Sequence, residues 1–233
     1  MKCLIWNLEW TVSESNRGKI IKQIVDDLNP DVICFTKAYP AIVPDNGYII
    51  TSDANYGYEN TGDRRKVILW SKNPWKNIDQ YGSKDIPGGR FISGITNEIR
   101  FIGVCIPWKD AHVNTGMKNR KIWEDHSNYL ISLNIITKKY LLTENKICMV
   151  GDFNQRIPRL YTPEDIFEKL MKIIQSDFNI ITANLLDENG KLLIDHVAVS
   201  NTLKGEFENI IPKTTKNGFK LSDHSGLIIN ITE

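Results

Sequence analysis

Ile147-Cys148-Met149-Val150-Gly151-Asp152-Phe153-Asn154 is an apolar run that ends on a glycine, an acid and an amide. A short unbroken apolar stretch of this kind suits a buried strand. The polar residues then fall where the strand meets solvent, which is where open α/β sheets carry their chemistry. A second short motif, Ser222-Asp223-His224, stands just before the last apolar run at 227–231. A third, Asp195-His196, lies inside the apolar stretch 192–199. Each has a plain reading when taken singly. Asp-x-Asn after a strand is ordinary turn chemistry, and Ser-Asp-His suits a cap or loop. Asp195 is harder to dismiss, because an acid within an apolar run requires a partner or a function. Together the three motifs suggest one site, assembled from distant segments, that handles metal and phosphate.

The rest of the chain supplies a scaffold for such a site. Residues 3–6 read as a central strand. Ile20, Ile21, Ile24, Val25 and Leu28 recur at helical spacing across 17–28, with Ser15 or Asn16 as the cap and Asn29-Pro30 as the stop. Residues 32–35 form the next strand, and this strand–helix–strand order predicts parallel pairing. The middle is strand-rich, at 48–51, 66–70, 90–95 and 100–106, with Thr96-Asn97-Glu98 as a tight antiparallel connection. A long helix is expected over 117–142. A shorter one is expected from Thr162-Pro163-Glu164-Asp165 to about 175, with the threonine hydroxyl as cap. Residues 207–211 form a weaker strand candidate. No linker or repeat interrupts residues 1–233, so the expectation is one α/β domain built in layers.

Composition is that of a globular chain of 233 residues, 41% hydrophobic and 24% charged, with a net charge of +1. That balance argues against a strongly basic nucleic-acid coat and leaves room for a local basic groove. The four cysteines, Cys3, Cys34, Cys105 and Cys148, all lie in apolar runs without CxxC spacing. They read as reduced core thiols. The apolar runs are too short to span a bilayer and the N-terminus starts directly as a strand, so a cytoplasmic protein that engages no membrane is expected.

With Trp6-Asn7-Leu8-Glu9-Trp10 added, the order of motifs resembles the endonuclease/exonuclease/phosphatase superfamily, the group of DNase I-like nucleases and AP endonucleases. The likeness runs from Trp6-Asn7 through Gly151-Asp152-Phe153-Asn154 and the 194–200 segment to Ser222-Asp223-His224. It implies a four-layer α/β sandwich, two packed mixed β-sheets flanked by helices. It also implies a divalent-metal-dependent phosphodiester hydrolase using Mg²⁺ (or Mn²⁺), with nucleic acid, DNA favoured, as partner. By the same resemblance, Asp152 orients the attacking water and Asn154 contacts the scissile phosphate. His224 meets the phosphate and Asp195 orients that histidine. Asn7, Glu9 and Asp223 belong to the metal site. Asn7 and Glu9, two apart on a strand or its extension, are expected to share one face.

Lys37 departs from this pattern. It follows the strand at 32–35, where relatives carry a metal-binding glutamate, and an ammonium cannot ligate a cation. Three readings stand: an inactivating substitution, a fixed charge that neutralises phosphate, or a weaker metal site held by Glu9, Asp223 and Asp152. Many relatives also place a histidine where Cys105-Ile106-Pro107-Trp108 stands, with His112 a few residues on. Arg90, Trp108 and Arg120 are candidates for substrate contact, each with a packing or solvated-surface alternative. A phosphatase or phospholipid phosphodiesterase of the same fold, or an inactive relative that only binds nucleic acid or a partner, remains the alternative function.

Overall fold

The computed structural model describes residues 1–60 and 62–233. Its elements run β1 (Lys2–Asn7), α1 (Asn16–Leu28), β2 (Val32–Ala38), β3 (Tyr48–Thr51), β4 (Arg65–Ser71), β5 (Lys76–Asp79), β6 (Phe91–Thr96), β7 (Ile99–Cys105), α2 (Glu124–Leu141), β8 (Ile147–Asp152), α3 (Glu164–Ile174), β9 (Phe178–Ile180), β10 (Asp195–Ser200), β11 (Lys204–Ile211) and β12 (Gly226–Thr232). Two six-stranded sheets result, in the orders β11-β12-β1-β2-β4-β3 and β5-β6-β7-β8-β10-β9. Each has one parallel pair at its centre, β1 with β2 and β7 with β8, and antiparallel pairing elsewhere.

Strand alternation sorts the side chains into three apolar layers. Cys3, Ile5, Cys34, Leu69, Phe101, Cys148, Val150, Val197 and Ile229 meet between the sheets. Leu4, Trp6, Ile33, Phe35 and Ile68 point the other way and pack on Ile21 and Val25 of α1. Ile102, Val104, Met149 and Ala198 face Tyr129, Leu133, Leu170 and Ile173 of α2 and α3. This is the four-layer α/β sandwich expected. All four cysteines are buried free thiols. Among the described residues no helix is long and apolar enough to cross a membrane.

Local differences from the sequence reading have identifiable causes. The long helix starts at Glu124 rather than near 117, with Trp123 in the left-handed region ahead of it. The basic run Lys118-Asn119-Arg120-Lys121 opposes the positive end of a helix, whereas Glu124 and Asp125 complement it. Ser15 caps α1 through Gly18 N–H, but Thr162 does not cap α3, whose start is Pro163 with no side-chain cap. Asn97 and Glu98 both take positive φ and close the β6–β7 hairpin. β5 and β9 escaped the sequence reading, being only four and three residues long and mostly exposed or lightly patterned.

Gly151 connects this scaffold to the site. Its φ is +130°, and an added Cβ would lie 2.1 Å from the Val104 carbonyl oxygen on the neighbouring strand. Only glycine lets β8 approach β7 this closely while turning Asp152 inward. Gly151→Ala is therefore expected to lower stability by at least about 2 kcal/mol. A urea denaturation midpoint within error of the wild type would contradict the steric argument.

Candidate active site

The carboxyl ends of β1, β2, β7 and β8 lie together at one edge of the sandwich. β10 enters there with Asp195 paired directly opposite Asp152. The loop before β12 adds Ser222, Asp223 and His224. It is tied down by Ser222 Oγ, which donates to the Asn7 carbonyl at 2.5 Å, and by Trp6 Nε1, which donates to the His224 carbonyl at 3.0 Å.

Asp152 is completely buried. Asn7 Nδ2 donates to its Oδ2 at 3.0 Å, and the Asn154 backbone N–H to its Oδ1 at 3.0 Å. Lys37 Nζ stands 3.8 Å from Oδ2. Asn154, at positive φ, donates its side-chain amide to the Ile106 carbonyl at 2.7 Å. His224 Nδ1 is bonded to Asp195 Oδ2 at 2.5 Å. Its Nε2 lies 3.4 Å from Asn7 Nδ2 and 3.8 Å from Asp223 Oδ1. Burial works against a charged imidazole, yet the adjoining Asp195 carboxylate holds His224 up to about 9. Burial pushes Asp195 itself up despite that partner, and its Oδ1 has no hydrogen-bond partner among the described residues. Lys37 is raised as well: burial works against its charge, but Asp152 together with Cys105, Asp223 and Asp195 outweighs it.

The structure thus joins Asn7, Asp152, Asn154, Asp195, Asp223, His224 and Lys37 at one place. Glu9 is separate. β1 ends at Asn7, and Glu9 and Trp10 both turn into the left-handed region. Asn7 Oδ1 accepts the Glu9 N–H at 3.1 Å, and Trp10 N–H reaches the Lys37 carbonyl at 2.7 Å. The shared face expected for Asn7 and Glu9 is lost in this turn. The Glu9 carboxylate is instead bound by Arg17 at 3.0 Å and Lys220 at 2.7 Å.

Lys66 and its aromatic enclosure were not picked out from the sequence, where Arg64-Arg65-Lys66 reads as a basic surface cluster. Lys66 Nζ lies 4.8 Å from the ring centres of both Trp10 and Tyr56 and 5.8 Å from that of Tyr58. Burial lowers its ammonium to about 7, with the Arg90 charge adding to the effect. The only available signal was Lys66 beginning a buried strand. Arg90 and Arg120 line one cavity of about 250 Å³ with Tyr56, His112 and Asp125. Arg120 spends its charge on Asp125, at 2.6 Å. His112 stacks on Tyr58 and is not part of the Asp152 group. Trp108 is half exposed on the loop after β7. His126 and His196 are buried packing residues, bonded to Pro107 and Thr182 respectively.

No protein-family profile and no curated protein matches this sequence. Solved structures match it over its whole length. A 3′ phosphatase (NExo) from Neisseria, bound to a product DNA hairpin, superposes with a TM-score of 0.73 at 15% identity, all of both chains being covered. An AP endonuclease from Archaeoglobus fulgidus gives 0.70 at 15%, again with complete coverage. The catalytic domain of APE2 from Xenopus laevis gives 0.69 at 15%, over 99% of this chain and 91% of that one. The chain has the fold of the endonuclease/exonuclease/phosphatase superfamily. At such identities the likeness is one of fold.

The resemblance read from the sequence implies a divalent cation. Asp152, Asp195 and His224 offer ligand atoms within 4.8 Å of one another. The donor set around them nevertheless does not fit a resident Mg²⁺ or Mn²⁺. Such ions want oxygen ligands with little competition. Here Asp195 and the histidine are bonded to each other, Asn7 turns an N–H toward Asp152, Glu9 is committed elsewhere, and an ammonium stands against Asp152. Asp195→Asn is expected to lower His224 from about 9 toward its ordinary value, since burial then acts on the imidazole without its nearest counter-charge. An NMR titration of the imidazole protons checks this; an unshifted midpoint would show that the pair is not what charges the ring.

Proposed function

We propose that residues 1–233 act as one phosphodiester hydrolase of the nuclease type, with DNA as substrate. The observation that carries this reading is the array Asn7–Asp152–His224–Asp195, buried at the meeting point of the strand ends with Asn154 beside it. Asp152 is an acceptor fixed by two donors, which suits it to orient a water for in-line attack on phosphorus. His224 keeps Nδ1 on Asp195 and presents Nε2 to the site, so a phosphoryl oxygen gaining charge meets a held imidazolium. Asn7 Nδ2 and the remaining Asn154 amide hydrogen are neutral donors placed to meet the same oxygens. Lys37 supplies fixed positive charge beside Asp152. DNA is preferred because fold neighbours handle it, as in the hairpin complex of the Neisseria phosphatase.

A second reading is favoured by one contact. The Lys37–Asp152 pair draws on the carboxylate that must hold the water, which suits a protein that binds nucleic acid without cutting it. Incubation with plasmid, oligonucleotide and phospholipid substrates separates the possibilities. The hydrolase reading expects DNA cleavage, with Asp152→Asn and His224→Gln each slowing it by about a hundredfold or more. Equal rates in wild type and Asp152→Asn would assign the cleavage to a contaminant and sink the reading. Lipid turnover without DNA cleavage would transfer the site to the phospholipid class.

A further inference from the structure

Arg90 is only 3% exposed, yet among the described residues its guanidinium meets no acceptor. Its backbone carbonyl is well used, taking hydrogen bonds from Tyr129 Oη and the Cys105 N–H. The side chain faces the cavity lined by Tyr56 and His112. The route inward is built for it. Gly89 has φ +64°, and an added Cβ there would lie 2.6 Å from the Asn55 carbonyl oxygen, so the turn that delivers Arg90 requires glycine. A buried guanidinium without a carboxylate is costly unless an anion completes it.

Two further cations stand nearby. Lys66 is half-buried among Trp10, Tyr56 and Tyr58, with no carboxylate partner among the described residues. Lys37 has one partner, Asp152, at a distance too long for a direct hydrogen bond. The backbone brings all three to the strand ends that carry Asp152. Lys37 falls between the Thr36–Val67 and Ala38–Arg65 pairs, so it lies across from Lys66 on the neighbouring strand. On the other sheet, Arg90 is hydrogen-bonded to Cys105, and Cys105 pairs with Asp152. The other buried acids nearby are committed, Asp195 to His224 and Asp125 to Arg120, so Asp152 alone among them faces the three cations.

We infer that Lys37, Lys66 and Arg90 form a phosphate-binding cradle that stands in for a divalent cation, so that this site binds a phosphodiester group without metal. The inference rests on the phosphoester reading of the site and names how that ligand is held. Phosphate fits the chemistry: it accepts a planar fork from arginine and point charges from lysines on its several oxygens. The aromatic rings of Trp10 and Tyr56, stacked at 5.8 Å, form a wall beside the cradle suited to the sugar or base of a nucleotide.

The test is fluorescence anisotropy with a fluorescein-labelled single-stranded DNA oligonucleotide, in excess EDTA and in Mg²⁺. The wild type is expected to bind equally well in both, and inorganic phosphate is expected to displace the probe. Lys37→Met and Arg90→Gln should each weaken binding by about tenfold or more. Circular dichroism establishes that each variant is folded, and Lys37→Met, at a half-exposed position, keeps the test open if the arginine variant is not. Loss of binding in EDTA, no displacement by phosphate, or wild-type affinity in folded Lys37→Met would overturn the cradle. The two readings fail separately. Metal-free binding without any cleavage removes the hydrolase and leaves the cradle; cleavage and binding that both require Mg²⁺ do the reverse.

Discussion

Asn7 Nδ2 donates to the Asp152 carboxylate across the gap between two sheets, and the geometry of the site depends on that bond. Asn7 ends β1 in one sheet and Asp152 ends β8 in the other. A buried carboxylate is tolerable only when donors and cations surround it. The backbone of Asn154, the Asn7 amide and the Lys37 ammonium perform that task here. The sheets are therefore joined at the site by a polar contact, as they are again between Ser71 and Thr96, while cysteine, valine, leucine and phenylalanine side chains fill most of the space between them.

The electrostatic balance of the site is set by pairing. Asp195 and His224 largely satisfy each other, and Glu9 is held by Arg17 and Lys220 at the rim. Asp152 and the exposed Asp223 then stand against Lys37, Lys66 and Arg90. A site of this balance favours an anion over a divalent cation. The near-neutral charge of the whole chain conceals that local excess, because acids and bases elsewhere cancel.

Much of the fold was legible in the sequence. Alternating and continuous apolar runs marked most strands, Ser15 marked the start of α1, and Asn97-Glu98 marked a hairpin. These are local effects, in which a few neighbouring residues dictate the backbone. β5 and β9 were not legible, since each is held by one neighbouring strand rather than by its own pattern. The start of α2 was misplaced because apolar spacing alone ignores the charge preference of a helix end. At the site, the Gly151-Asp152-Phe153-Asn154 and Ser222-Asp223-His224 motifs announced themselves through acids and amides at the ends of apolar runs.

By itself the sequence determined the layered α/β scaffold and pointed to the residues proposed to handle phosphate, because hydrophobic periodicity and strand-end chemistry are properties of short segments. It also exposed Lys37 as out of place for a metal site. Only the tertiary structure decided what Lys37 faces, where the Glu9 carboxylate goes, and that Arg90 is buried with no side-chain partner among the described residues. Those facts depend on left-handed turns at Glu9, Trp10 and Gly89, and on the stacking of strands far apart in the chain. Charge balance in a cleft is a sum over such neighbours, and a linear sequence does not say which charges will stand within reach of one another.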